Sequence, residues 1–237
     1  MPRRPPLVRR WLTATTWPVG VALTSWDYMW RSTPLHRHEL VEDDAADHLP
    51  PSLPDGVDIT DAVGPEGGSG PLFHRRYRTA IRDSTLSADE LMDRLKRDLN
   101  RAAPTKFARF QKVLGDPGTL VIGDEFVVRM PGPWDGPVRV VAEAARSFRL
   151  ATLAGHLEAG QIEFRVREDE LLRFEIESWA RSADRLADLL YHRARMAKEV
   201  QLHMWISFLE GVVSLSGGRM TGGIEIDTRR VDAGPAS

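Results

Sequence analysis

The sequence predicts an α+β fold in which one curved antiparallel sheet wraps around a single long C-terminal helix. Four segments between residues 126 and 176 alternate apolar and charged side chains with a period of two, which is typical of strands that bury one face. The stretch 183–215 contains no proline and no glycine before Gly211, and its apolar residues recur at helical spacing. Since no helical insertions separate the strands, a doubly wound parallel sheet is excluded.

The composition is that of a globular protein without disulfides. The 237 residues carry a formal net charge of −2, with 42% hydrophobic and 28% charged residues, which excludes wholesale disorder. The chain contains no cysteine, so disulfides, thiolate metal ligands and a cysteine nucleophile are excluded. The near-neutral charge argues against a protein dedicated to coating nucleic acid.

Residues 1–38 are predicted to form a helical segment rich in tryptophan and arginine. An apolar run from Trp11 to Trp30 follows four arginines, but Pro18 interrupts it and no small-residue cleavage site follows. We therefore predict neither a signal peptide nor a membrane span, and we expect a cytoplasmic location. Tryptophan near arginine also suits a helix lying on an anionic membrane, so peripheral contact through residues 1–31 is an alternative to packing on the main domain.

Residues 39–70 predict an extended acidic linker. They contain nine acidic residues, four prolines, a terminal cluster of glycines, and no lysine or arginine. The neighbouring stretch 75–112 is basic and has aromatic residues interleaved, a pattern that nucleic-acid-binding proteins use. Because a tethered acidic strand would compete with phosphates for that surface, nucleic acid is not an expected partner.

The main domain is predicted over residues 71–216. A strand over 72–81 opens it, and Ser87 with Glu90 forms the capping box of a short helical region that Pro104 ends. The four alternating strands and the long helix follow in that order.

The long helix 183–215 would span about 50 Å, enough to cross a whole small sheet. The pair Gly217–Gly218 ends this helix, and residues 217–237 are predicted to form a mobile tail. Placing the helix against one face of the sheet is the natural way to bury the apolar side of both.

Three motifs in the strand region point to a known family. They are a Gly-His-x-x-x-Gly-x-x-x-Phe run that starts at Gly155, a Phe-Glu-Ile strand at 174–176 and a Trp-Ala-Arg-Ser turn at 179–182. With the long closing helix, they resemble the domain-of-unknown-function family nineteen-ninety, whose members occur in bacteria, including actinobacteria, and in plants. The resemblance is good over 117–216, weaker over 71–116 and absent over 1–70.

This resemblance implies a helix-grip fold related to START lipid-transfer domains, pollen-allergen-like proteins and aromatic cyclases. By fold-level analogy it implies that the chain binds a hydrophobic small molecule or lipid in a cavity between sheet and helix. Ala194 and Ala197 on the helix stripe either leave room for such a ligand or let the sheet pack closer and close the cavity. The other ligand-binding candidates are Trp134, His156, Trp179, His203, Met204 and Phe208.

Several of these candidates have a structural interpretation beside the functional one. Trp134 lies in a proline-rich turn, where it would act as a lid at the cavity mouth or cap the end of the core. His203 and Glu199 lie four residues apart on the helix, so they would orient a ligand's polar group or form an ordinary exposed pair, which we favour.

His156 and Glu158 are the candidates for catalysis. A histidine near a carboxylate can serve as a general base, but His156 also lies in a glycine-bounded turn whose backbone it could hydrogen-bond. We favour the structural role because the spacing places no nucleophile or second acid nearby.

The sequence therefore predicts a binding protein without catalytic activity. Motifs for phosphate loops, nucleophile elbows, zinc or dinucleotides are absent, so we expect no cofactor and no metal. One alternative is a helix-grip enzyme of the cyclase or hydrolase type that uses His156. The other is a membrane-surface adaptor that acts through residues 1–31.

Overall fold

The computed structural model describes residues 33–42, 48–54, 61–104, 108–129, 135–183 and 195–231. The strands in this part of the chain are β1 Leu35–Glu42, β2 Ser69–Arg82, β3 Arg109–Leu114, β4 Glu125–Arg129, β5 Asp135–Ala144, β6 Ser147–Thr152, β7 Glu158–Glu168, β8 Leu172–Ser182 and β9 Arg219–Val231. The helices are α1 Ala88–Arg97 and α2 Arg195–Ser216, with short 3-10 turns at Pro65–Gly67 and Leu99–Arg101.

All nine strands form one sheet, in the order β1-β9-β2-β8-β7-β6-β5-β4-β3. Neighbouring strands are antiparallel except β1 and β9, which run parallel. The fold is thus a large, mostly antiparallel sheet, and the predicted opening strand is confirmed as β2.

The two helices pack on the same face of this sheet and form the main core with it. Helix α1 buries Leu91, Met92 and Leu95, while α2 buries a continuous set of apolar residues that includes Phe208 and Val212. These side chains meet the apolar face that the strands present at every second position. We call this the inner face of the sheet, and the opposite one the outer face.

The prediction of a mobile tail after the long helix is wrong for residues 219–231. They form β9, which lies between β1 and β2 near one edge of the sheet. Ile224 and Ile226 are buried in the main core, while Glu225 between them is exposed, so this segment has the alternation of a strand with one buried face.

Other predicted boundaries also change. Strand β1 occupies Leu35–Glu42, so residues 35–38 of the predicted helical segment are strand instead. Because β2 begins at Ser69, both ends of the predicted linker 39–70 are also strands. Helix α2 is described from Arg195 to Ser216, and the predicted first turns, residues 184–194, lie outside the described residues. The capping box of α1 is confirmed, because the Ser87 side chain accepts from the Glu90 amide and Glu90 accepts from the Ser87 amide.

Replacing Ser87 by alanine is expected to lower the free energy of unfolding by about 1 kcal/mol. The change removes the acceptor for the Glu90 amide at the start of α1. Urea unfolding followed by circular dichroism measures the loss. Ser214→Ala, at an exposed position in α2, is the control and should cost nothing, since alanine is the better helix former. Equal stability of the Ser87 variant and the wild type would contradict the expected role of the cap.

Candidate functional site

The layer between the sheet and the described part of α2 is filled by aromatic side chains. Phe208 is fully buried, and its ring centroid lies 5.4 Å from that of Phe164 and 6.4 Å from that of Phe174. Met204 is also buried in this core. Both candidates from the helix stripe are therefore part of the core, and Phe208 fills the layer where it lies against Phe164 and Phe174.

His203 and Trp205 are buried polar residues of α2 that leave different sides of the helix, because they lie two residues apart. His203 is only 3% exposed, so our preferred interpretation of an exposed helix-face pair is wrong for this residue. Its Nδ1 lies 3.4 Å from the Ser207 hydroxyl. Trp205 contacts the rings of Phe164 and Phe208, and its buried Nε1–H has no acceptor among the described residues.

Three other ligand-binding candidates lie wholly or partly outside the described residues. Trp134 and Ala194 lie outside the described residues. Ala197 belongs to α2, but its side chain lies outside the described part. Residues 1–31, which carry the membrane-adaptor hypothesis, also lie outside it.

In the described ranges, neither helix combines the length and apolar character that crossing a bilayer demands.

His156 lies in the turn between β6 and β7, close to the backbone of Glu158. Its Nδ1 lies 2.9 Å from the Glu158 amide nitrogen and 3.0 Å from the Glu158 carbonyl oxygen, so either tautomer has a backbone partner in the turn. Burial lowers the pKa of His156, with the charge of Glu158 acting in the opposite direction. These backbone contacts are the ones that the structural role of His156 requires, in which the imidazole holds the turn.

Trp179 does not lie between sheet and helix, which corrects our prediction for this residue. It lies on the outer face, in a small apolar cluster with Leu72 and Val231 that is separate from the main core. The reason is the strand period: Trp179 is two residues from Glu177 on β8, so both side chains leave the same face. Its ring stacks on His74 at 5.3 Å between centroids.

The outer face holds a buried charged cluster around Glu177. This carboxylate is only 3% exposed and accepts from Arg76 Nε at 2.6 Å, from His74 Nε2 at 2.8 Å and from Arg165. Burial alone would raise the pKa of Glu177, but the hydrogen bonds from His74 and Arg76 and the two arginine charges outweigh it and lower the pKa to about 2. Glu177 is therefore ionised at every physiological pH.

Residues 48–54, which we call the strap, cross this cluster. His48 Nδ1 lies 3.0 Å from His74 Nδ1, and His48 Nε2 lies 3.2 Å from Arg229 Nη1. Further along the strap, the carbonyl of Pro51 accepts from Arg149 at 3.3 Å and from Gln161 at 3.2 Å. Part of the predicted acidic linker thus covers the outer face of the sheet.

One arrangement of protons satisfies this chain of hydrogen bonds. A guanidinium can only donate, so Arg229 donates to His48 Nε2 and the proton of that ring is on Nδ1. This Nδ1–H donates to His74 Nδ1, and His74 then donates from Nε2 to Glu177. In this arrangement each ring nitrogen has a partner, and every hydrogen bond in the chain runs from a donor to an acceptor.

The sequence reasoning missed His48, His74 and Trp205. No spacing links the two histidines to Glu177, because the strap and two non-consecutive strands bring these groups together. For Trp205 a signal existed, since it lies three residues before Phe208 and therefore on the same side of the helix.

These observations define the chain as an α+β protein with one sheet, an aromatic inner layer and a strapped outer face. Residues 66–208, more than half of the chain, match the family described as domain of unknown function (DUF1990). The chain belongs to this family. The comparison with curated proteins gives no match.

The solved structures that are similar to this chain share little sequence with it. Major latex-like protein 151 from Panax ginseng is 16% identical, with a TM-score of 0.41 over 62% of this chain and 99% of that one. A hypothetical protein from Helicobacter pylori is 13% identical, with a TM-score of 0.44 over 60% and 86% of the two chains. A protein from Arthrobacter aurescens is 15% identical, with a TM-score of 0.41 over the same shares.

Proposed function

We propose that the chain binds an apolar small molecule or lipid between the sheet and helix α2, in a helix-grip arrangement. The observation that carries this proposal is the indole N–H of Trp205, buried in an apolar layer without an acceptor among the described residues. An unsatisfied buried donor costs about 1–3 kcal/mol. A ligand that places a carbonyl, hydroxyl or carboxylate oxygen there would recover this energy.

The packing around Trp205 limits where the ligand lies. The rings of Phe164 and Phe208 both contact the indole and fill the layer beside it. The proposed ligand therefore places its polar group at the Trp205 indole N–H and its apolar part away from the rings of Phe164 and Phe208. Apolar surroundings with a few polar groups are typical of small-molecule sites.

The first test is to identify what the freshly purified protein carries. Native mass spectrometry of the full chain, followed by organic extraction, should reveal an apolar adduct near one per chain. Oleate serves as the test ligand for affinity, because it combines an apolar chain with a carboxylate that can accept a hydrogen bond. Its binding is followed by the displacement of a fluorescent naphthalene sulfonate.

Two tryptophan variants form a matched pair for this titration. Trp205→Phe removes the buried donor from the helix side and should weaken oleate binding about five- to tenfold, the worth of one hydrogen bond. Trp179→Phe removes a buried indole N–H of the same kind from the outer face and should leave affinity unchanged. A clean apo mass together with no oleate binding, or equal effects of the two variants, would exclude the proposed site.

A further inference from the structure

Strand β1 forms one edge of the sheet. Among the described residues it has a neighbouring strand on one side only, the parallel strand β9. The residues from His36 to Leu40 are exposed, and Leu40, a large apolar residue, is 53% exposed. A strand at the edge of a sheet presents a row of backbone N–H and C=O groups with which a further strand can pair.

The ladder between β1 and β9 determines which backbone groups of β1 point outward. The Ile224 amide donates to the carbonyl oxygen of Pro34, and Ile224 is paired with Leu35. In a parallel ladder of this register, the backbone groups of the even-numbered residues of β1 are directed toward β9. Because the direction alternates along a strand, the N–H and C=O groups that point away from the sheet belong to positions 35, 37, 39 and 41.

The charges on this edge are complementary to those of a second copy of the same strand. Arg37 and Glu39 are both exposed, and they lie on the two sides of His38 in one row of side chains. If two β1 strands pair antiparallel about a twofold axis at His38, Arg37 of each copy lies opposite Glu39 of the other. An axis at Arg37 or at Glu39 would instead place equal charges opposite each other, which is unfavourable. The charge pattern therefore selects the register centred on His38.

The backbone of β1 is compatible with this register. Positions 37 and 39 both point outward, so they form a closely spaced pair that exchanges two hydrogen bonds, and positions 35 and 41 do the same. Every outward position of one copy thus meets an outward position of the other. Exposed ion pairs within one chain are worth about 0–1 kcal/mol, so other contacts of Arg37 and Glu39 do not prevent this exchange of partners.

We propose that the chain associates with a second copy through β1, so that the two sheets continue into each other across a twofold axis at His38. The contact is only one strand wide, so it is smaller than the standard interface of about 1,200–2,000 Å². The dimer is therefore weak, with a dissociation constant in the micromolar range. This association is independent of the apolar site on the inner face.

The opposite edge of the sheet is blocked at a comparable place. The Asn100 side chain donates to the carbonyl oxygen of Phe110 in β3 at 2.9 Å and accepts from the amide of the same residue at 2.8 Å. The outward backbone groups of Phe110 are thus already paired within the chain. The two edges therefore differ, and β1 is the one that we expect to associate.

Sedimentation equilibrium of the full chain, from about 1 μM to 1 mM, tests the proposal by charge exchange. The wild type should pass from monomer to dimer over this range. Arg37→Glu and Glu39→Arg each replace the two opposite-charge pairs by two like-charge pairs, so each should weaken association about tenfold or more. The double variant Arg37→Glu/Glu39→Arg restores opposite charges and should associate within about threefold of the wild type.

Arg101→Glu is the control, because it changes the net charge as Arg37→Glu does but lies beside Asn100 at the β3 edge. It is exposed and far from β1, so its dissociation constant should stay within about twofold of the wild type. Equal weakening by Arg37→Glu and Arg101→Glu, or a double variant as weak as the single ones, would overturn the proposal. A monomer at every concentration would also overturn it and would leave this edge to another segment or another protein.

Introduced cysteines measure the register directly, since the chain has no cysteine of its own. At the twofold axis the Cα atoms of the two copies of His38 would be about 4.5 Å apart, close enough for a disulfide. His36 lies opposite Leu40 of the second copy and about 13 Å along the strand from the other His36, which is too far.

With oxidised glutathione, His38→Cys should therefore form a covalent dimer, and His36→Cys alone should not. A mixture of His36→Cys and Leu40→Cys should give the covalent dimer again. Equal amounts of covalent dimer from His36→Cys and His38→Cys, each measured alone, would contradict the proposed pairing of the two strands.

Discussion

Replacing Phe208 by alanine is expected to lower the free energy of unfolding by about 3–5 kcal/mol. Phe208 is fully buried at the centre of the inner layer, where its ring contacts those of Phe110, Phe164, Phe174 and Trp205. Removing the ring loses its burial from water and leaves a cavity that β-strands on one side and a helix on the other cannot collapse to fill.

Equilibrium unfolding in urea measures this loss, and Phe208→Leu is the control. Leucine keeps most of the apolar volume, so its cost should stay below about 1.5 kcal/mol. A cost of the same small size for Phe208→Ala would mean that the layer is loosely packed at this point. In that case a ligand would have room beside Phe208, and the polar group of Trp205 would no longer define the place of the proposed apolar site.

The sequence alone predicts those parts of the fold in which the local pattern of apolar and polar residues matches the buried and exposed faces of the structure. Phe174 and Ile176 are in the core, while Glu175 and Glu177 leave the other face, as the period of two in that segment predicts. The capping box at Ser87 works through neighbours three residues apart, so a single short segment contains all the information that it needs.

The outer face could not be predicted because its groups come together only through the order of the strands. His74 and Glu177 are 103 residues apart, and they meet because β2 lies beside β8. Strand β9, which was predicted to be a tail, brings Arg229 to His48 only because it inserts between β1 and β2. Local periodicity can assign a residue to a face, but it contains no information about which strand lies next.

Trp179 shows a different kind of error. The period of two by itself places this side chain on the charged face of β8, together with Glu177. The family resemblance instead assigned it to the expected cavity. Where a local pattern and a fold-level analogy disagree about one side chain, the local pattern has the direct physical cause, since successive side chains on a strand must alternate.

Replacing Glu177 by glutamine is expected to lower the free energy of unfolding by about 3 kcal/mol near neutral pH. The change removes the negative charge that three donors share, and it leaves the guanidinium groups of Arg76 and Arg165 against a neutral amide. Breaking a buried ion pair by removing one partner costs about 3–5 kcal/mol, and the partial exposure of Arg76 places the value at the lower end of that range. Urea unfolding at neutral pH measures it.

The pH dependence of this difference separates the charge of Glu177 from its packing. Its pKa is lowered from 4.5 to about 2 in the folded chain, so the stabilisation is complete above pH 4.5 and is lost as the pH falls toward 2. The wild type and Glu177→Gln should therefore converge in stability over this window. Glu175→Gln, two residues away on the same face, should cost less than about 1 kcal/mol, because Glu175 is more exposed and its ion pair among the described residues is with Arg165. A difference between the wild type and Glu177→Gln that stays constant down to pH 2 would mean that the shape of the side chain, and not its charge, holds the strap and the three strands together.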